Sequence, residues 1–300
     1  MDIISSRQNP IVRACRELAD APDQAGARLL LDGAHLVRDA HAAGYTFEFV
    51  AVASSRLTTD TEERDLARRL ETSGSLVYAV TDKAFAAMSP VRSPSGIVAI
   101  ARRTPTDAAT IYHHPGSFVL VAVDVQDPGN IGALIRAAEA GGATGALVCG
   151  TSAHPYSWKA LRGSMGSALR LPTASVSDAE ACVGDLRAAG VRTIAAAPRD
   201  GHDPDAVNWT GSIALVIGGE GTGLRDSVRV ACDESVTIPM AAPVESLNVA
   251  VAAAILIYAA RRQRTSLADA RGLRPPQKPD ARGAHHDVGD RSPSRARGTT

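Results

Sequence analysis

An α/β architecture in two domains, followed by a disordered tail, is what the sequence predicts, and three observations predict it. Across 300 residues, 45% of the side chains are apolar and 21% charged, enough to build more than one small packed module. Short apolar runs alternate with amphipathic stretches of helical spacing from residue 11 to residue 260. Beyond residue 265 the chain turns rich in Arg, Pro, Gly, Ser and His, with almost no large apolar residue after Leu273. Such a segment buries too little surface to offset its ordering entropy.

The elements follow in order. Asn9-Pro10 precedes an amphipathic stretch over 11–19. Leu29, Leu30 and Leu31 mark a strand over 28–32, and Leu36, Val37 and Ala40 share one side of a helix over 33–43. A strand over 47–53, a charged helix over 61–71 and strands over 76–80 and 95–101 complete a small α/β domain, residues 1–104. Residues 105–115, between Arg102-Arg103-Thr104 and Pro115-Gly116, hold turn formers and read as a linker. Residues 118–123 are apolar at consecutive positions, the pattern of a strand covered on both faces in a parallel sheet. Asp127-Pro128-Gly129-Asn130 then reads as a turn and 131–140 as a helix. Strands over 145–150, 191–196 and 213–217 continue the rhythm, and an alanine-rich helix over 249–262 ends basic, as its macrodipole favours. Residues 116–264 form the second domain and 265–300 the tail.

Composition excludes several classes. No apolar run reaches the ~20 residues that cross a bilayer, and the N-terminus lacks the apolar core of a secretory signal. Cys15, Cys149, Cys182 and Cys232 lie far apart and read as reduced residues of a cytoplasmic protein. HExxH, GxSxG and GxxxxGK[ST] are absent, and the histidines have no metal-ligand spacing, so no metal is expected. Net charge is zero, but residues 106–260 carry nine basic against fifteen acidic side chains, and residues 261–300 ten against four. Charge alone neither requires nor excludes a nucleic-acid partner.

Four stretches carry chemistry, each with an ordinary reading beside it. The first, residues 124–136, puts free amides at a helix start, which favours an anion, and places Arg136 six residues after Asn130; a plain strand–turn–helix with one solvated arginine has the same pattern. The second, Gly218-Gly219-Glu220-Gly221 with Gly223, lets a backbone approach a ligand closely. Glu220 inside that loop suits a neutral or cationic ligand better than a phosphate chain. The third, residues 238–254, sets Ser246 and Asn248 before the last helix, where either is a good cap. The fourth, residues 159–172, carries Lys159, Arg162 and Arg170, which suit either a phosphate backbone or a solvated helix face.

Taken in order, these stretches resemble the SpoU (TrmH) family of RNA ribose 2′-O-methyltransferases. The resemblance runs through Asn130-Ile131-Gly132 with Arg136, Gly218-Gly219-Glu220-Gly221 with Gly223-Leu224, and Ile238-Pro239-Met240 with Glu245-Ser246-Leu247-Asn248-Val249. Residues 6–10, which include Arg7, together with Asp32-Gly33, Leu36-Val37 and Ser95-Gly96, resemble the family's substrate-binding domain, similar to ribosomal protein L30e. Asp32 stands where glutamate is usual, and Ala242 where glycine is frequent.

The resemblance implies a trefoil-knotted α/β (SPOUT) methyltransferase domain, a homodimer, and S-adenosylmethionine among loops holding Gly218, Gly219, Ile238, Met240 and Leu247. It implies Arg136, Asn130, Glu220, Ser246 and Asn248 as catalytic residues, with Glu220 orienting Arg136 or a substrate group. Arg7, Lys159 and Arg162 would meet RNA, 23S ribosomal RNA ahead of transfer RNA. Base methylation by the same fold and a catalytically idle RNA-binding protein are the alternatives.

Overall fold

The structure, a computed structural model, describes residues 3–58, 61–221 and 223–270. Its N-terminal part runs β1 (Ile3–Ile4), α1 (Pro10–Asp20), β2 (Arg28–Asp32), α2 (Ala34–Ala42), β3 (Thr46–Ala53), α3 (Ser54–Leu57), α4 (Glu62–Thr72), β4 (Val77–Val80), α5 (Asp82–Phe85) and β5 (Ile97–Arg102). There follow α6 (Ala108–Tyr112), β6 (Phe118–Val123), α7 (Pro128–Gly141), β7 (Gly145–Cys149), α8 (Trp158–Ser164), α9 (Ser167–Arg170), β8 (Thr173–Val176) and α10 (Ala179–Ala188). The last elements are β9 (Arg192–Ala196), β10 (Ile213–Gly218), α11 (Asp226–Ala231), β11 (Glu234–Val236) and α12 (Val249–Ala270).

Two sheets result. The first, ordered β1-β4-β3-β5-β2, is mixed, because β5 runs antiparallel to both β2 and β3. Asp32, at the end of β2, accepts hydrogen bonds from Ser89 Oγ (2.6 Å) and Ser95 Oγ (2.9 Å), so this buried carboxylate pins the loop before β5. The second sheet, ordered β11-β9-β10-β6-β7-β8, is parallel throughout. Every residue of β6 and β10 is buried, which is why their sequences read as unbroken apolar runs. One core cluster spans both sheets, joining Leu29, Val50 and Ile97 to Leu120, Ile131 and Ile257.

Three local expectations are corrected. Pro128-Gly129-Asn130 is not a turn ahead of α7 but its first turn: proline suits the first helical position, and the Asp127 carboxylate caps the helix by accepting from Asn130 N (2.8 Å). The stretch read as a linker contains α6, whose Ile111 and Tyr112 are buried against the second sheet. The helix expected to stop at 262 continues to Ala270, so residues 265–270 of the expected tail are helical; the expectation for 271–300 lies outside the described residues. Among the described residues no helix is long and apolar enough to cross a membrane.

The parallel sheet has two unlike edges. The C-terminal ends of β6, β9, β10 and β11 share one, which is where ligands bind in open α/β sheets.

Candidate active site

β6 and β10 pair to their last residues, Val123 with Gly218, so the loops that follow them leave the sheet side by side. The β10 loop is closed by a bridge between Gly219 and Gly223. A Cβ on Gly218 would overlap the Gly223 carbonyl, and one on Gly219 would overlap the Asp124 carbonyl oxygen, so both positions demand glycine for close backbone approach. Asp124 itself adopts φ 56°, which re-aims the chain out of β6. Its carboxylate accepts from Thr151 N (2.8 Å), Thr151 Oγ1 (3.0 Å) and Arg225 Nε (3.2 Å). Those bonds, the Thr151 amide foremost, hold the Asp124 carboxyl below the usual carboxylate range.

Asn130, in the first turn of α7, joins two distant loops. Its Nδ2 donates to Glu220 Oε1, and its Oδ1 accepts from Asn248 Nδ2 (3.2 Å). Asn248 in turn caps α12, its Oδ1 accepting from Ala250 N (2.9 Å) and Val251 N (3.3 Å). Three sequence segments 90 and 118 residues from Asn130 or containing it therefore meet at one cluster of amide and carboxylate groups.

Beside that cluster lies a cavity of about 410 Å³, within the ~300–1,000 Å³ usual for small-molecule sites. Gly218, Gly219, Ile238, Met240 and Leu247, the five positions expected to hold the cofactor, all line it, as do Glu220, Ser246 and Asn248. Among the described residues the lining contains no Lys, Arg or His, and Glu220 is its one carboxylate. A neutral or cationic ligand suits such walls.

Arg136 is placed differently. It is exposed on α7, outside the cavity lining, with no hydrogen bond or ion pair to a described residue. Glu220 bonds Asn130 and not Arg136, so the expected orientation of the arginine by this carboxylate is absent from the structure. Lys159 and Arg162 are exposed on α8, which packs on α7. Glycine makes that packing intimate: a Cβ on Gly132 would overlap the Ala160 carbonyl and sit 2.7 Å from Ser164 N. Arg7 is exposed between β1 and α1. Among the described residues no group of three His, Cys, Asp or Glu is placed to hold a metal ion.

Sequence reasoning missed Ala196, which ends β9, and Ala197 and Pro198, which follow it, all in the cavity wall, and the Asp124–Arg225 pair. Small apolar residues at a strand end carry no signal of their own. Arg225, immediately after the glycine loop, was legible only as a charge.

A parallel sheet whose C-terminal edge holds a glycine-walled cavity and a converging polar cluster defines an α/β enzyme acting on or with a small ligand. The chain belongs to the SpoU rRNA methylase family, whose model matches residues 117–258. It is 32% identical over 269 residues to an uncharacterized tRNA/rRNA methyltransferase of Synechocystis, covering 87% of this chain and 94% of the relative. It is 30% identical over 260 residues to the Bacillus subtilis 23S rRNA (guanosine(2553)-2′-O)-methyltransferase RlmP, covering 86% and 98%. The SpoU methyltransferase AviRb from Streptomyces viridochromogenes, solved in complex with AdoMet, superposes with a TM-score of 0.77 at 27% identity, covering 86% of this chain and 99% of that one.

Proposed function

We propose that the protein transfers a methyl group from S-adenosylmethionine to a ribose 2′-hydroxyl of structured RNA, 23S ribosomal RNA, in the cytoplasm. The observation that carries this reading is that Asn130 joins Glu220 and Asn248, two residues lining a cavity with glycine and apolar walls and, among the described residues, no cationic side chain. The likeness to RlmP over nearly its whole length supports the reaction and the ribosomal substrate.

The walls fit the cofactor. Gly218 and Gly219 admit it close to the backbone, Ile238, Met240 and Leu247 offer apolar surface, and Glu220 sets a negative charge beside a cationic ligand. When bound, S-adenosylmethionine supplies an activated methyl group on a sulfonium that is its own leaving group. The chain's task is then to hold the ribose hydroxyl in line and manage its proton. Arg136, without a hydrogen-bond or ion-pair partner among the described residues, offers its planar fork of donors to the RNA. Because a guanidinium stays protonated, its chemistry favours orienting the hydroxyl and stabilising the developing alkoxide. It serves as the base only where a neighbouring RNA phosphate draws off its proton. Asn130, outside the cavity lining, is held by Glu220 on one side and Asn248 on the other and so ties together the two loops that line the cavity.

In this reading residues 1–104 bind the RNA substrate as an L30e-like domain, 105–115 connect, and 116–264 carry the transfer chemistry in a knotted SPOUT domain. Arg7, Lys159 and Arg162 contact the RNA. The protein acts as a homodimer, supported by the exposed apolar face of α12.

The test is transfer of labelled methyl from S-adenosylmethionine to 23S rRNA and to tRNA, followed by alkaline hydrolysis. The expected product is labelled 23S rRNA resistant to cleavage at one nucleotide. Label in a product that still cleaves there would assign base methylation, and label in tRNA alone would overturn the ribosomal substrate.

A further inference from the structure

A second cleft, of about 610 Å³, lies on the other edge of the parallel sheet. Thr144 precedes β7, Pro172 precedes β8 and His114 precedes β6, so this cleft collects N-terminal strand ends, on the sheet edge opposite the one that holds the cofactor cavity. Six residues of β6 at ~3.3 Å each separate the two edges by roughly 20 Å. A group bound here is too far away to be the reacting ribose.

The cleft's chemistry is one-sided. Arg102, Arg103, Arg170 and His114 line it, and among the described residues no Asp or Glu does. Arg102 is partly offset by Glu48 (3.1 Å), which Arg28 also holds, whereas Arg170 is outweighed by two carboxylates, Glu139 (2.7 Å) and Asp39 (3.0 Å); these pairs also fix where the guanidinium groups point. Arg103 differs. Its hydrogen bonds run to neutral acceptors, the Gly26 carbonyl (3.2 Å), Thr106 Oγ1 (2.8 Å) and the Thr173 carbonyl (2.9 Å), and it lies 4.1 Å from the centre of the Tyr156 ring. Neutral partners hold it still without cancelling its charge. Threonine hydroxyls, Thr104 and Thr110 among them, complete the lining. A guanidinium held by neutral partners and set among hydroxyls, as Arg103 is, grips phosphate oxygens without reading bases.

We infer that this cleft binds the phosphate backbone of the RNA substrate at a segment away from the methylated nucleotide. The inference rests on the RNA methyltransferase reading above. An extended polyanion is favoured over a small anion because the arginines stand on walls from both sheets. Arg102 ends β5 of the first and Arg103 follows it, while Arg170 ends α9 and His114 precedes β6 of the second. A strand lying across them meets several phosphates at once and ties the N-terminal part to the catalytic part.

The test uses Thr104→Glu and Thr104→Glu/Thr110→Glu, which set carboxylates at exposed positions of the cleft and outside the cofactor cavity. Binding of 23S rRNA transcripts is measured across a salt series, with S-adenosylmethionine affinity and turnover at saturating RNA alongside. Expected are RNA affinity weakened about tenfold at low salt and a salt slope shallower by roughly one phosphate contact. Cofactor affinity and saturated turnover should stay unchanged. Unchanged RNA affinity and slope in folded variants overturn the inference. So does saturable binding of inorganic pyrophosphate by the wild type that the variants lose while RNA binding persists, which would assign the cleft to a small anion. Absence of methyl transfer by the wild type, with RNA binding still sensitive to Thr104→Glu, would instead sink the enzyme reading and leave the cleft standing.

Discussion

Asn248 answers two demands with one side chain: its oxygen caps α12 and its nitrogen reaches Asn130. The capping explanation and the functional one, alternatives from sequence, are both true of it. Substitution separates them. Asn248→Asp keeps a good capping oxygen but has no donor for Asn130 Oδ1, so the melting temperature should hold while single-turnover methyl transfer falls. Asn248→Ala should lose both, including about 1 kcal/mol of stability. Equal rates for the wild type and Asn248→Asp would reduce the residue to a cap. Arg136 is the opposite case, an exposed side chain with no bonded partner among the described residues. Arg136→Ala should therefore fold and bind cofactor normally while its rate drops about 10²–10⁴-fold. Arg136→Lys should recover little, since a point charge cannot reproduce the planar fork. Single-turnover assays, with circular dichroism as the folding control, decide it, and a near-wild-type rate for the alanine variant would remove Arg136 from the site.

Elements are where sequence and structure part company for physical reasons. The buried strands β6 and β10 were legible because a parallel sheet covered on both faces needs consecutive apolar residues. The break between α8 and α9 was not, because it turns on Met165 at φ 49°, a conformation that methionine does not advertise. The extension of α12 to Ala270 was hidden by averaging over a polar tail, although adding residues to an existing helix costs far less than starting one. Of the site, the glycines and the capping residues were readable. The bonds from Asn130 to Glu220 and Asn248 were not, because nothing local signals partners 90 and 118 residues away. Gly132 reads as a small residue until α8 is laid on α7, when its missing Cβ becomes a requirement. Gly132→Ala should push the helices apart and cost roughly 1–3 kcal/mol, measurable by denaturant unfolding. A midpoint equal to the wild type's would mean the helices shift freely. The turn after β6 adds a pH dependence. Asp124 is held below its ordinary pKa, so its contribution to stability is complete above about pH 4 and is lost as pH falls through the lowered value. Asp124→Asn should flatten that acid limb of the melting temperature and leave the range from pH 5 to 8 level. A slope within that range would implicate a different group.

At the scale of the whole molecule, α12 has one side built into the core and one side bare. Ala253, Leu256, Ile257 and Ala260 are buried, while Val251, Ile255 and Tyr258 are 49%, 41% and 47% exposed. Spacings of four and three residues put the exposed three on a single stripe. Val244 and Leu247, 53% and 37% exposed, lie just before the helix, so apolar exposure continues to the loop that walls the cofactor cavity. A contiguous apolar surface beside a functional loop marks an interaction site in a water-facing protein. A second copy of the chain is the occupant in the proposed homodimer, and a two-fold contact there would bury the same stripe from each protomer. Ile255→Asp with Tyr258→Asp would place buried, unpaired charges in such an interface, a change that costs more than most dimers can absorb. Sedimentation equilibrium should find the wild type at about twice its 31.1 kDa chain mass and the double variant at the chain mass. Because Leu247 sits where the stripe meets the cavity, the monomeric variant should also bind S-adenosylmethionine more weakly while its circular dichroism spectrum is unchanged. A wild type that sediments as a monomer at micromolar concentration would refute the dimer, and a double variant that stays dimeric would move the contact away from α12.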